Sequence, residues 1–272
     1  MKNLLDKRKL VNKVLDGLAS SDDFIDELIK NKFSLIKKNL SEANFIKEIL
    51  TIIQKINSDQ AGVISLIGGE ASGKTFLAKK MAKACNKLIT KDKRYSVGAE
   101  LVSTDVCLIE DRKWRRKYIV AEGRSIVEKY DPVALKQWVN EIKCLEDKEF
   151  VLLPDLDYKT GKALSREVYD HKVQKTKYLV IEGVFHFIED SDLTLYLHVP
   201  DEVRNWNRYV REMKVIDEGG EKGLFKNLKH RHTHQQLKFT LPVAEKADCL
   251  ITVDPIWNGG KYIYQYSLYK KS

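Results

Sequence analysis

Eight consecutive residues, Gly68-Gly69-Glu70-Ala71-Ser72-Gly73-Lys74-Thr75, spell G-x-x-x-x-G-K-[ST] and constrain everything on either side of them. Such a run curls its backbone N–H groups around an anion when a buried strand leads in and a helix leads out. Both flanks comply. Val63-Ile64-Ser65-Leu66-Ile67 is short, apolar and β-branched, as a buried parallel strand should be. Phe76-Leu77-Ala78-Lys79-Lys80-Met81-Ala82-Lys83-Ala84 places apolar residues at helical spacing. The pattern implies a site for a nucleoside triphosphate. Gly68, Gly69, Glu70, Ala71, Ser72 and Gly73 supply backbone, Lys74 reaches the β- and γ-phosphates, and the Thr75 hydroxyl holds Mg²⁺, with Phe76 next to the nucleotide.

At 272 residues the chain holds one α/β domain of ordinary size plus an extension, and 43% hydrophobic residues are enough for a substantial core. The net charge of +9 comes from lysine scattered along the whole chain. A nucleic-acid footprint needs basic residues clustered on one face, so the scatter argues against such a partner while suiting an anionic substrate. Cys85, Cys107, Cys144 and Cys249 show no metal or disulfide spacing. No apolar run has membrane-spanning length, and charge interrupts the first seven residues too often for a signal peptide. The expectation is a reduced, cytoplasmic protein without a membrane partner; a homo-oligomer is left open.

Residues 1–58 read as an entirely helical extension. Its stripes are Leu4, Val11, Val14, Leu15 and Leu18; then Phe24, Ile25, Leu28 and Ile29 after a cap at Ser21 or Asp22; then Phe45, Ile46, Ile49, Leu50, Ile53 and Ile56 after Ser41. Packing explains these stripes. Residues 59–272 alternate strand and helix, the pattern of a doubly wound, mainly parallel α/β sheet with helices on both faces. Strands are predicted at 63–67, 100–103, 178–181, 193–199 and 249–253, with an antiparallel edge strand over 262–269. A hairpin insert is expected at about 149–170 and a lid at about 201–235.

Two further signals bear on chemistry. The predicted strand before Asp105 and the strand Tyr178-Leu179-Val180-Ile181, which runs into Glu182-Gly183, each deliver a carboxylate at the carboxyl end, where open α/β sheets bind ligands. Asp105 can accept a proton from an attacking hydroxyl; Glu182 can hold metal, directly or through water, or orient substrate. In the helix from Pro200 to Glu212, Arg204, Arg208 and Arg211 share one face at i, i+4 and i+7 and can clamp phosphate when a lid closes. A solvated face paired with Glu202 and Glu212 is the alternative. Gly219, Gly220 and Gly223 would give the lid flexibility. His230, His232 and His234 form H-x-H-x-H, where a solvated helix is favoured over a metal site, and Lys113, Arg115, Arg116 and Lys117 around Trp114 could recruit an acidic substrate or form an exposed basic helix.

With these residues the chain resembles the uridine kinase and phosphoribulokinase family, including its pantothenate kinase branch, from about Gly62 to Val253. The loop is close to the Gly-Gly-x-Ala-Ser-Gly-Lys-Thr of uridine kinases. Ser103-Thr104-Asp105 resembles the strand-end motif whose Asp is the catalytic base. Lys129-Tyr130-Asp131-Pro132 resembles the segment whose Asp binds sugar-type hydroxyls, and Pro154-Asp155-Leu156-Asp157-Tyr158 matches the family's hairpin in part. Ile181-Glu182-Gly183 and Glu245-Lys246-Ala247-Asp248-Cys249-Leu250-Ile251 resemble its Glu-Gly strand end and the strand near the adenine. The resemblance implies an ATP- and Mg²⁺-dependent kinase acting on a small-molecule hydroxyl. Asp105, Lys74, Glu182 and Arg208 would be catalytic, Arg204 and Arg211 would contact nucleotide, and Asp131, Asp157 and Tyr158 would bind the acceptor.

The departures bear on the acceptor. Leu156 and Gly161 stand where nucleoside kinases of the family place the Tyr and His that read a pyrimidine, and the lid's usual Arg-Gly-Arg is replaced around Gly219, Gly220 and Lys222. A nucleoside, sugar or similar polyol is the expected acceptor. The competing expectations are a nucleotide-gated regulatory module and a nucleic-acid-directed ATPase or kinase. The choice of ATP over GTP is not encoded in these motifs.

Overall fold

The computed structural model describes residues 2–56, 59–88, 94–120, 126–154, 156–157, 160, 162–163, 171–184, 190–213, 220–258 and 261–272. In chain order the first elements are α1 (Lys2–Leu15), α2 (Ser21–Lys32), β1 (Phe33–Leu40), α3 (Glu42–Ile53), β2 (Gly62–Gly68), α4 (Lys74–Leu88) and β3 (Val97–Ser103). A single helical turn, α5 (Arg112–Arg115), precedes α6 (Pro132–Lys143), β4 (Phe150–Leu153), β5 (Leu156–Asp157), β6 (Lys162–Ala163) and β7 (His171–Gln174). The chain continues through β8 (Thr176–Gly183), β9 (Leu193–His198), α7 (Asp201–Glu212), α8 (Gly220–Arg231), β10 (Cys249–Asn258) and β11 (Lys261–Lys271). Among the described residues, no helix is long and apolar enough to cross a membrane.

The contacts divide the chain into two compact units. One comprises Met1–Phe45, Ile67–Lys74 and Leu195–Ser272; the other comprises Ile46–Leu66 and Thr75–Thr194. In the first, β9 pairs in parallel with β10, β10 with β11 antiparallel, and β11 with β1 antiparallel. In the second, β3 and β8 run parallel, while β4–β7 and β5–β6 form small antiparallel pairs. Strand β2 is buried at every residue, which explains its continuous apolar sequence. These strands and helices form an α/β fold with mostly parallel pairing in its central strands.

Three sequence expectations are revised here. Residues 33–40 are a strand, although 1–58 read as helical, and 262–269 lies inside β11, which is not an edge because β1 covers it. Local pattern loses to pairing: Phe33-Ser34-Leu35-Ile36 suits a pleated, half-buried surface once a partner strand is present. The outer strand that results has Phe33 buried and Lys37 and Lys38 on it, charges that discourage further strand addition. The expected 149–170 hairpin is two separate pairings, with β4 reaching past β5 and β6 to β7.

Helices α1 and α2 pack within the first unit. Val11 of α1 joins Trp206 and Tyr209 of α7 and Leu224 and Leu228 of α8. Ile25 and Leu28 of α2, with Phe33, join Ile67, Tyr196, Leu241 and Leu250. Gly220 and Gly223 lie within α8 as helix, while Gly219 falls outside the described residues. The chain continues from α8 as a widened helix over His232–Thr240.

Phe45 is fully buried and stacks on Tyr266 of β11 with ring centroids 4.7 Å apart. Phe45→Ala is expected to cost about 3–5 kcal/mol, read from urea unfolding, because the ring leaves a cavity that a rigid strand cannot refill. A loss below about 1 kcal/mol would show that the stack carries little of the packing.

Candidate functional site

In the first unit the chain leaves β2 and folds into the glycine loop. Gly73 has φ of 84° and Ala71 has φ of 60°, so the loop bends through the left-handed region twice within three residues. Gly69 is required for a different reason. A Cβ there would lie 2.8 Å from Cδ of Arg204 and would also collide with the Gln236 side chain. The buried Lys74 turns back so that Nζ donates to the Gly69 carbonyl at 2.8 Å. Loop residues 68–74 thus enclose their own lysine, as a phosphate cradle does.

The side chain of Glu70 is the loop's most constrained. It pairs with Arg208 Nη1 of α7, and both its oxygens accept from Arg231 Nη1 of α8, at 2.9 and 2.6 Å. Burial alone would raise the Glu70 carboxyl, but Arg208 and Arg231 outweigh it and hold the group well below the usual carboxylate range. Arg208 is itself buried, with Nε and Nη2 on Glu212 at 2.9 and 2.7 Å; burial lowers its pKa to about 10 against the pull of Glu70.

The three arginines of α7 therefore differ. Arg208 lies between two carboxylates and Arg204 is buried against Asp201, so neither forms the solvated face that was the alternative reading. Arg211 is exposed.

Thr75, covalently next to Lys74, belongs to the second unit. Its Oγ1 donates to Glu182 Oε1 at 3.0 Å, and Glu182 is buried at the end of β8. The parallel register places Ser103 beside Glu182, so the ends of β3 and β8 are neighbours. Thr104 follows and packs on Gly183, where a Cβ would meet the Thr104 side chain. Asp105 comes next, exposed on a one-turn 3₁₀ helix whose N-cap is the Ser103 hydroxyl, with Tyr130 Oη 3.4 Å from its Oδ1.

The Asp131 segment is tied to this turn by backbone. Asp131 N donates to Cys107 O and Ile109 N to Lys129 O, each at 2.8 Å. Asp131 Oδ1 accepts from Val133 N and Ala134 N at 3.0 Å, so the residue also caps α6, with Pro132 in the first turn. Between the two acids the Cys107 thiol is pushed up to about 12, by burial first and then by Asp131 and Asp105; it stays protonated and is no nucleophile at neutral pH. Strand β6 lies against the Asp105 turn, which brings the β5–β6 hairpin and Asp157 into this neighbourhood. Asp157 Oδ2 accepts from Thr160 at 2.6 Å.

Sequence-predicted residues are thus gathered in two groups: Gly68 to Lys74 with Arg204 and Arg208, and Thr75, Glu182, Asp105, Asp131 and Asp157. Phe76 is half exposed, with Lys80 Nζ 4.3 Å from its ring centroid. Tyr158 and Gly161 lie outside the described residues. Thr75 and Glu182 fit Mg²⁺, since a hydroxyl and a buried carboxylate oxygen at one point are the hard donors it takes.

Sequence reasoning missed Arg231, which has no spacing relation to the helix at 201–212, and His232, which is buried although its run read as solvated. The basic stretch around Trp114 is also not all surface: Arg115 is buried and donates to the Ile109 carbonyl at 2.9 Å and to that of Glu110.

The sequence profile of the Phosphoribulokinase / Uridine kinase family matches residues 63–257. No curated protein sequence matches the chain. Among solved structures, one assigned as a fructose transport system kinase from Silicibacter sp. TM1040 aligns with a TM-score of 0.54 at 17% identity, covering 76% of this chain and 95% of that one. The YGR205w protein aligns at 0.55 and 12% identity over 84% and 96%. YFH7 from Saccharomyces cerevisiae, described as a P-loop-containing kinase with a circular permutation, aligns at 0.52 and 9% over 76% and 95%. At these identities the likeness is one of fold.

Glu70→Gln leaves Arg208 and Arg231 facing a neutral amide and is expected to destabilise the protein by about 2 kcal/mol at pH 7, modest because Glu70 retains some exposure. The folded-state pKa is depressed, so this stability is complete above the ordinary carboxyl value of 4.5 and fades only as pH falls below it. The difference between wild type and variant in urea unfolding should therefore be flat from pH 7 to about 5 and narrow in stronger acid. A gap that closes already between pH 7 and about 5.5 is incompatible with the ion cluster.

Proposed function

Because the chain belongs to the Phosphoribulokinase / Uridine kinase family, we propose that it is an ATP-dependent kinase passing the γ-phosphate to a hydroxyl of a small molecule, a nucleoside, sugar or similar polyol. The observation that carries this reading is the hydrogen bond from Thr75, last residue of the phosphate loop, to Glu182, whose register neighbour Ser103 lies two residues before Asp105. A loop hydroxyl, a buried acid and an exposed acid are what phosphoryl transfer to an alcohol requires.

In this reading the loop amides and Lys74 bind the β- and γ-phosphates. Thr75 and Glu182 would hold Mg²⁺, which when bound offsets charge on the phosphate oxygens. Asp105, exposed where an acceptor can reach it, takes the proton from the attacking hydroxyl, and the Tyr130 hydroxyl orients its carboxylate. Asp131 and Asp157 hold further hydroxyls of the acceptor. Arg211 and Arg231 are the arginines with surface access to phosphate, while Arg208 orders Glu70.

Asp105→Asn keeps shape and loses basicity. MgATP affinity measured by calorimetry is expected to stay near wild type while phosphoryl transfer falls ~10²-fold or more. Undiminished transfer would move the base to Glu182. Lys74→Ala, by contrast, should abolish most nucleotide affinity or turnover.

The acceptor follows from the departures noted in the sequence. A site built to read a pyrimidine edge can discriminate by ~10⁴-fold, since unmet buried polar groups are costly. Leu156 supplies no side-chain hydrogen bond at one of the two reading positions. Uridine and cytidine are accordingly expected to be poor acceptors beside hydroxyl-rich ones in steady-state ADP release with uridine, cytidine, other ribosides, pentoses and pantothenate. Uridine turning over at ~10⁴ M⁻¹s⁻¹ or above would sink that inference.

A further inference from the structure

Residues 1–58 carry no catalytic motif, yet the corner from Ala19 to Asp22 touches the groups that press on the phosphate loop. Ser20 caps α2, accepting from the Asp22 and Asp23 amides, which leaves Ser21 and Asp22 turned toward α7. Ser21, fully buried, donates twice to Asp201: its N to Oδ2 at 2.8 Å and its Oγ to Oδ1 at 2.5 Å. Asp22 returns the contact, its two oxygens accepting from Asp201 N at 3.2 and 3.3 Å, with His198 Nε2 2.9 Å from Oδ1. The first turns of α2 and α7 thus cap each other.

From Asp201 the contacts run on. Burial would raise its carboxyl, but Arg204 and the Ser21 hydroxyl hold it below the usual range. Asp201 Oδ1 accepts from Arg204 Nη2 at 2.6 Å, and the same nitrogen lies 3.1 Å from His232 Nδ1. His232 Nε2 is 2.8 Å from the Ala19 carbonyl, which can only accept; Nε2 therefore carries the hydrogen and Nδ1 is left to accept from Arg204. The ring Ala19–His232–Arg204–Asp201–Ser21 closes within two residues of its start. Arg204 Nε is buried and has no partner among the described residues, so the Nη2 contacts orient the guanidinium. Its stem lies where a side chain on Gly69 would be.

We propose that the Ala19–Asp22 corner is a positioning element for the phosphate loop, acting through Asp201 and Arg204 on Gly69. Removing the Ser21 hydroxyl loosens Asp201, lets the Arg204 stem move, and frees the amides of residues 68–74 that must converge on phosphate. Only the second readout below rests on the kinase reading.

The test uses the full chain as wild type, Ser21→Ala, Arg204→Gln and the double variant. Hydrogen exchange of the nucleotide-free proteins is followed by mass spectrometry. Ser21→Ala is expected to speed exchange in 68–74 by ~10-fold, with β3 and β8 at wild-type rates. In the Arg204→Gln background it should add almost nothing, because both act through one contact. MgATP dissociation constants should rise ~3–10-fold with the same non-additivity. Asp201→Asn keeps the shape, removes the negative charge that faces Arg204, and gives the same pattern should Ser21→Ala not fold. Faster exchange confined to α2 and α7, with 68–74 unchanged, or fully additive effects, overturns the proposal. If wild type binds no MgATP, the kinase reading falls, and exchange in 68–74 still decides the positioning role.

Discussion

Two helices that meet amino end to amino end present partial positive charge to each other and leave several N–H groups without partners, an arrangement that holds only with anions between them. At the junction of α2 and α7 those anions are Asp22 and Asp201, each serving the other helix. Much of the first unit depends on this exchange. It fixes where α7 begins, hence which way Arg204, Trp206, Arg208 and Tyr209 point. Trp206 and Tyr209 then receive α1 and α8, while Arg208 reaches Glu70.

Charge in the phosphate loop follows from the same geometry. A loop that collects amide hydrogens, a lysine and the amino end of α4 has ample positive potential, and α7 and α8 add more. Glu70 offsets this locally: one carboxylate receives two guanidinium groups from two helices, and Glu212 takes the remaining face of Arg208. A guanidinium this buried is tolerable only because its donors are met by oxygen. Glu70 is thus both a phosphate-loop residue and the point where α7 and α8 are tied to that loop.

What the sequence made legible were elements whose signal is local. The loop, its flanking strand and helix, and the helix at 201–212 were all readable because each is written in consecutive residues. Ser21 and Asp22 were recognisable as cap residues but were assigned to their own helix; the structure gives that role to Ser20 and points the next two residues at α7, some 180 positions away. Residues 33–40 could not be read as a strand because β11, which makes them one, lies at the far end of the chain. Arg231 and His232 were hidden likewise, their partners Glu70, Arg204 and Ala19 being remote in sequence. The positions of the acids were readable too, since Asp105, Asp131 and Glu182 stand at strand ends or helix starts, which a motif can mark.

The two strand-end carboxylates differ in setting more than in chemistry, and the difference assigns their roles in the proposed reaction. Glu182 is buried, with the Thr75 hydroxyl on it, a setting that suits a cation better than a bulky acceptor. Asp105 stands on a short exposed turn, within reach of Tyr130, beside the segment that carries Asp131 and the strand pair that carries Asp157. A general base must touch the proton it removes, and in the proposed reaction the exposed acid is the better placed of the two. The register Ser103–Glu182 keeps both acids at adjacent strand ends, and Thr104 seated on a bare Gly183 allows the chain to turn there. In the proposed reaction these two settings would give the buried acid the metal and the exposed acid the proton.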